Sequence, residues 1–194
     1  MTAPTKDTYN SLKLLFDVSR ELVSALDLNT VLQRVLSLSL EIVEAQSASI
    51  IILNDQQEAI DAAIILDGKV HEDTIERLKN TLDDGLAGWV ARNRQAALIA
   101  DTSQDERWLK RTYPDELTPN TKSSLCAPLI VRNQLVGVIT FTNNKTHYYQ
   151  KNHLELIQAI ADQAAIAVLN AQLFQASQQR ANVMAVLAET ATAV

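Results

Sequence analysis

Asp101, Thr102, Asp105, Arg107, Trp108 and Tyr113 bring charge, hydrogen-bonding groups and aromatic surface into one stretch, Asp101 to Lys122, that has two prolines and no long apolar period. Such a set on a loop can orient a small molecule, because ligand pockets pair apolar lining with a few placed polar groups. The same residues also have structural uses: Asp101 as a turn cap, Arg107 as a partner for Asp105 or Glu106, Trp108 as a seal over the core. Both uses stay open at the level of sequence. Trp89 is expected in the core.

Other chemistry finds less support. His71, His147 and His153 are scattered, and neither Cys-x-x-Cys nor His-Glu-x-x-His occurs, so no metal site and no catalytic residue is expected. Gly85-Leu-Ala-Gly88 lacks the glycine spacing and the Lys-Ser/Thr ending of a phosphate loop; its glycines are expected to permit a turn and close packing. The single cysteine, Cys126, cannot form an internal disulfide and sits in an apolar run, where it packs as a small hydrophobe. A net charge of -6 disfavours capture of a phosphate backbone, so no direct nucleic-acid partner is expected.

These residues need elements to hold them. The 194 residues, 47% apolar and 21% charged, suit one domain with helical arms. From Tyr9 to Leu26, Leu12, Leu15, Phe16, Leu22, Val23 and Leu26 fall on one helix face, with small Ser19 between them. Asp27 can favour a second helix start, with Val31, Leu32, Val35 and Leu36 on its apolar face. Ser47 to Leu53 and Ala59 to Leu66 read as paired strands across an Asn54 to Gln57 turn. His71 to Leu82 reads as a short helix, Leu86 to Arg94 as another, and Ala97 to Ala100 as a brief strand, with a helical turn expected around Arg107 to Thr112. Ser123 to Val131 and Leu135 to Thr142 form a hairpin across Arg132-Asn133-Gln134, completing an antiparallel sheet of five or six strands in an α+β fold with helices on both faces.

A long helix follows Tyr149 and continues beyond Gln179. One face can cover the sheet, while Ile157, Ala161, Ala164, Val168 and Leu173, together with Leu12, Leu15 and Leu22, are candidates for packing against a second subunit or against the chain's own N-terminal helix. The longest uncharged stretch, Gln163 to Gln179, is rich in Gln and Ala, so no membrane-spanning helix is expected; with no signal peptide visible, the expected location is cytoplasmic. The ending Val186-Leu-Ala-Glu-Thr-Ala-Thr-Ala-Val194 faintly echoes Leu15-Phe-Asp-Val-Ser-Arg-Glu-Leu-Val23, consistent with a following domain or with an ordinary connecting helix.

Three segments together carry a family resemblance: Gly85, Gly88, Trp89, Val90 and Ala91; then Ile99 and Asp101; then Ser123, Pro128, Leu129, Gly137 and Val138. In this order they resemble the GAF domain, a ligand-sensing module of signalling proteins, over roughly Leu12 to Phe174. The resemblance implies an N-terminal helix over 1–26, a sensor domain over 27–174 and a connecting helix over 175–194. It also implies a small-molecule pocket between the sheet and the segments from Ile75 to Lys122, and dimerisation through the terminal helices. No cofactor is implied. Relatives that carry a bilin attach it to cysteine, and Leu109 to Pro114 has neither Cys nor His, so covalent bilin is not expected. A relative that reduces free methionine sulfoxide needs several cysteines. The cyclic-nucleotide-binding members follow an Asn-Lys pair with Phe and Asp-Glu, whereas Asn144-Lys145 is followed by Thr-His-Tyr-Tyr.

The resulting expectation is a non-catalytic sensor, a homodimer that relays binding of an unidentified small molecule through its terminal helices to an output domain in cis. The resemblance suggests a bacterial two-component histidine kinase as the parent. The alternatives are a ligand-free dimerisation spacer and the regulatory domain of a transcription regulator.

Overall fold

A computed structural model of the chain describes residues 27–66, 68–71, 81–109 and 122–192. The helix expected over Tyr9 to Leu26 (with Leu12, Leu15 and Leu22), residues 72–80 and Tyr113 lie outside the described residues.

Helix α1 spans Leu28–Ile42. The Asp27 carboxylate starts it, accepting from the Thr30 amide at 3.0 Å and the Thr30 hydroxyl at 2.8 Å, which satisfies a backbone donor that the helix itself cannot. Leu28, Val31, Leu32, Val35 and Leu36 recur at helical spacing and are buried. Ser39 joins that face because its hydroxyl donates to the Val35 carbonyl at 2.6 Å, so that hydroxyl is not left unsatisfied.

The strands are β1 Ser47–Leu53, β2 Ala59–Leu66, β3 Lys69–His71, β4 Ala97–Ile99, β5 Ser123–Val131 and β6 Gln134–Asn143. They form one antiparallel sheet in the order β3-β2-β1-β6-β5-β4. The turn between β5 and β6 uses Arg132 and Asn133, both at positive φ (49° and 67°), the geometry a two-residue hairpin turn requires to match strand twist. Gln134 belongs to β6 rather than to the connection.

One expectation is corrected. His71 lies in β3, paired with Ile64, and not at the start of a helix. Gly68, at φ +73°, turns the chain back beside β2, and a three-residue strand is too short to show alternation in sequence.

Alternation along β1 divides the isoleucines between two layers. Ile50 and Ile52 face a large core shared with α1 and with helix α3, Lys151–Thr192, while Ile51 and Leu53 face a smaller core under helix α2, Leu86–Asn93. Helices therefore cover both faces. Gly88 is what lets α2 sit so close: a Cβ there would lie 1.6 Å from the Leu82 carbonyl oxygen.

The 42-residue α3 crosses β5 and packs on α1. By length and composition Lys151–Ala185 could cross a membrane. In the fold, Ile157, Ile160, Ala161, Ala164, Ala165 and Val168 are instead buried against the sheet and α1, each large one contributing about 2 kcal/mol by leaving water.

Candidate functional site

The loop after β4 lies on the α2 side of the sheet, and its short-range hydrogen bonds follow from its residue types. The Asp101 carboxylate accepts from the Ser103 hydroxyl at 2.7 Å and the Ser103 amide at 2.8 Å, closing a turn. Those bonds, with His147 nearby, hold its carboxyl below the usual carboxylate range. Thr102 is fully buried; its amide donates to the Lys122 carbonyl at 2.8 Å and its hydroxyl accepts from the Lys122 amide at 2.9 Å, tying the loop to the start of β5.

Asp105 and Arg107 form a two-pronged pair. Arg107 Nε donates to Asp105 Oδ1 at 2.9 Å and Nη2 to Oδ2 at 2.7 Å, while the Arg107 amide also donates to Oδ1 at 2.9 Å. The guanidinium holds the Asp105 carboxyl below its ordinary value, and the carboxylate raises that of Arg107. Arg107 then reaches α2: its guanidinium carbon lies 4.7 Å from the centroid of a Trp89 ring. Trp89, expected in the core, is half-buried: it packs against the smaller core and meets the guanidinium with its ring. Trp108 is half-buried against the smaller core, and its amide donates to the Asp105 carbonyl at 3.2 Å.

Five of the six loop candidates are therefore placed along one stretch of backbone, with the sixth, Tyr113, outside the described residues. Each of the five has a structural use. Asp101 caps, Thr102 ties, Asp105 and Arg107 pair, and Trp108 packs.

A floor for this side of the sheet was missed in the sequence. Thr142 stands opposite both Ser47 and Ser124, and Thr140 opposite both Ser49 and Cys126. Cross-strand partners share a face, so five hydroxyls and a thiol form two adjacent rows across β1, β6 and β5. Ser47 and Thr142 hydroxyls bond each other, and Cys126 Sγ lies 3.2 Å from Thr140 Oγ1. The signal was there as alternation, Ser47-x-Ser49 and Thr140-x-Thr142, but only the register joins the segments.

Cys126 is fully buried, and loss of hydration pushes its thiol up to about 12, with Thr140 and Arg107 pulling weakly the other way. A thiol held protonated is a poor nucleophile. Among the described residues no group of three His, Cys, Asp or Glu side chains could hold a metal ion. His153 is used locally, its Nδ1 accepting from the Gln150 amide at 3.0 Å at the start of α3.

The helix candidates divide. Ile157, Ala161, Ala164 and Val168 are buried in the chain's own core, so they are not available to a second subunit while the fold is intact; Leu173 is 60% exposed. On the other side of the sheet from the loop, a groove of about 530 Å3 runs between α1 and the β2–β3 edge, lined by Glu41, Glu44, Ile65 and Val70 among others, none of them a sequence-predicted residue.

A model of the GAF domain family matches residues 25–169. Probable 3',5'-cyclic phosphodiesterase pde-5 of Caenorhabditis elegans is 23% identical over 168 residues, covering 82% of this chain and 23% of that protein. Hybrid signal transduction histidine kinase G of Dictyostelium discoideum is 31% identical over 98 residues, 50% of this chain and 3% of that protein. The chain thus spans less than a quarter of the length of either relative. Among solved structures, the GAF domain from a phosphoenolpyruvate-protein phosphotransferase of Coxiella burnetii superposes with a TM-score of 0.66 at 19% identity, covering 87% of this chain and 98% of that one. With the six-stranded antiparallel sheet, the helices on both faces and a family match across three quarters of its length, this chain belongs to the GAF domain family.

Proposed function

We propose that the chain is a non-catalytic, small-molecule-sensing regulatory domain that acts in the cytoplasm and relays ligand binding through α3 to an output in cis. A histidine kinase is the first candidate for that output. The observation that carries the reading is the double life of α3. Up to Ala171 its residues include core positions packed on β5 and α1, whereas from Gln175 to Ala185 every residue is exposed. One uninterrupted helix therefore joins the domain's core to whatever lies beyond, and a change in how the core packs must tilt or shift the exposed part.

The ligand is expected on the α2 side, between the hydroxyl rows of β1, β5 and β6 and the loop that carries Arg107 and Trp108. Hydroxyls that accept and donate, beside one guanidinium, suit a small polar molecule with several oxygens. To act as a signal it must bind two conformations unequally, since equal affinity shifts nothing. The buried, protonated thiol of Cys126 supports a binding role over a redox one.

The test is native mass spectrometry of the purified chain for a co-purified small molecule, followed by a thermal-shift screen of metabolites that includes cyclic nucleotides. The expected result is a compound that raises Tm in wild type and loses its effect in Thr140→Val. A chain that carries nothing and responds to nothing would replace this reading with that of a ligand-free spacer.

A further inference from the structure

The groove between α1 and the β2–β3 edge has an apolar floor and an acidic wall. Ile65 and Val70 are cross-strand partners and share the face turned to α1, with Leu40 beside them. Val70 is 49% exposed, and a Cβ built on Gly68 meets nothing within 4 Å, so the floor is open to an incoming chain. Glu41 and Glu44 form the wall, and no Lys, Arg or His is among the lining residues.

The two carboxylates stand at the end of a helix that favours the opposite charge. Glu41 lies in the last turn of α1, which has no basic residue, and Glu44 follows the helix end. The carbonyls of a helix C-terminus carry partial negative charge, so carboxylates there are unfavourable and a cation is favoured. Glu44 is nevertheless fixed in place. Its carbonyl accepts from Asn143 Nδ2 at 2.9 Å, and its Oε2 accepts from the Tyr148 hydroxyl. Its Oε1 and the exposed Glu41 carboxylate have no hydrogen bond or ion pair among the described residues.

These features select the chemistry of the occupant. Acidic walls repel phosphate, which argues against a nucleic acid or an anionic lipid surface. The volume, about 530 Å3, takes only a few side chains. β3 is a terminal strand of the sheet, and an edge strand offers outward N–H and C=O groups to an extended chain.

We propose that this groove docks an extended cationic peptide segment of a partner protein, laid along β3. Its apolar side chains cover Ile65 and Val70, and a Lys or Arg enters between Glu41 and Glu44. Because an extended chain turns alternate side chains to one face, the motif is an apolar residue and a Lys or Arg two positions apart. The surface lies across the sheet from the Arg107 loop, and the inference holds whether or not a small molecule binds there.

Fluorescence anisotropy at low ionic strength tests it, using the full chain and the labelled peptide Thr-Leu-Thr-Arg-Thr-Leu-Thr-Arg. The expected result is saturable binding that weakens about tenfold in Glu41→Gln with Glu44→Gln and about threefold in Val70→Thr. Asp83→Asn with Asp84→Asn removes the same charge from the exposed chain just before α2 and should leave the affinity unchanged. Gln at position 44 still accepts from Tyr148, and neutral side chains suit the end of α1 better. The double Gln variant should therefore show a raised Tm together with its lost affinity, which separates lost binding from lost folding. An equal loss in the Asp83 and Asp84 variant, or equal affinity for the peptide with Ser in place of each Leu, would mean capture by net charge alone and overturn the proposal. No binding to the wild type would overturn it as well.

Discussion

Arg107 lies with its guanidinium carbon 4.7 Å from the centroid of a Trp89 ring, joining the loop after β4 to α2. Asp105 holds the Nε–Nη2 edge of the same guanidinium with two hydrogen bonds, of 2.9 and 2.7 Å. Replacing Arg107 by Ala is therefore expected to loosen the loop more than the fold. A stability loss of about 1 kcal/mol, together with earlier cleavage by a protease between Asp101 and Trp108, is the expected outcome, read by urea denaturation and peptide mapping.

The pairing also sets a pH dependence. Asp105 has a folded value below its ordinary one, so its contribution is fully present above the unfolded value of about 4 and is lost as the pH falls through the lower folded value. Asp105→Asn should lower the urea midpoint at pH 7 and the difference from wild type should narrow below pH of about 4. A difference that widened on acidification would contradict this sign.

Asp27 caps α1 through Thr30. Loss of that acceptor in Asp27→Ala should cost about 1 kcal/mol, whereas Asp27→Asn, which still offers an oxygen, should cost much less. Thermal denaturation of the two variants side by side reads the contrast.

Cys126 is sealed in β5 with its thiol pushed up to about 12. Ellman's reagent at pH of about 8, well below that value, should leave the native chain unlabelled. One thiol per chain should react once guanidinium has unfolded it.

Gly88 and Gly137 are close-approach glycines. A Cβ at Gly137 would lie 2.5 Å from the Ile51 carbonyl oxygen, and one at Gly88 still nearer the Leu82 carbonyl. Either alanine substitution should cost about 3 kcal/mol, seen as a large fall in Tm; a neutral result at Gly88 would mean that α2 can move off the preceding turn.

Much of the fold was legible because local patterns decide it. The three isoleucines Ile50 to Ile52 and the Arg132-Asn133 turn needed no distant partner to be read as strand and hairpin, and the Asp27 cap announces α1. β3 was not legible, since three residues carry no period and depend on pairing with β2 for their conformation. In the candidate site, the sequence supplied the loop chemistry and offered Asp105 or Glu106 as the partner of Arg107, between which the fold chose Asp105. It could not supply the hydroxyl rows, because Ser49, Thr140 and Cys126 are distant in the chain and become neighbours only through strand register.

α3 shows the division most plainly. Its composition determined that a long helix follows Tyr149, but a helix rich in Ala and Leu around much of its circumference leaves its inward side undecided. Only tertiary packing decided that Ile157, Ala161, Ala164 and Val168 turn to the sheet and that Leu173 turns away. The physical reason is that helix formation is satisfied by bonds within the helix, whereas the choice of face depends on which apolar surface the sheet and α1 offer to bury.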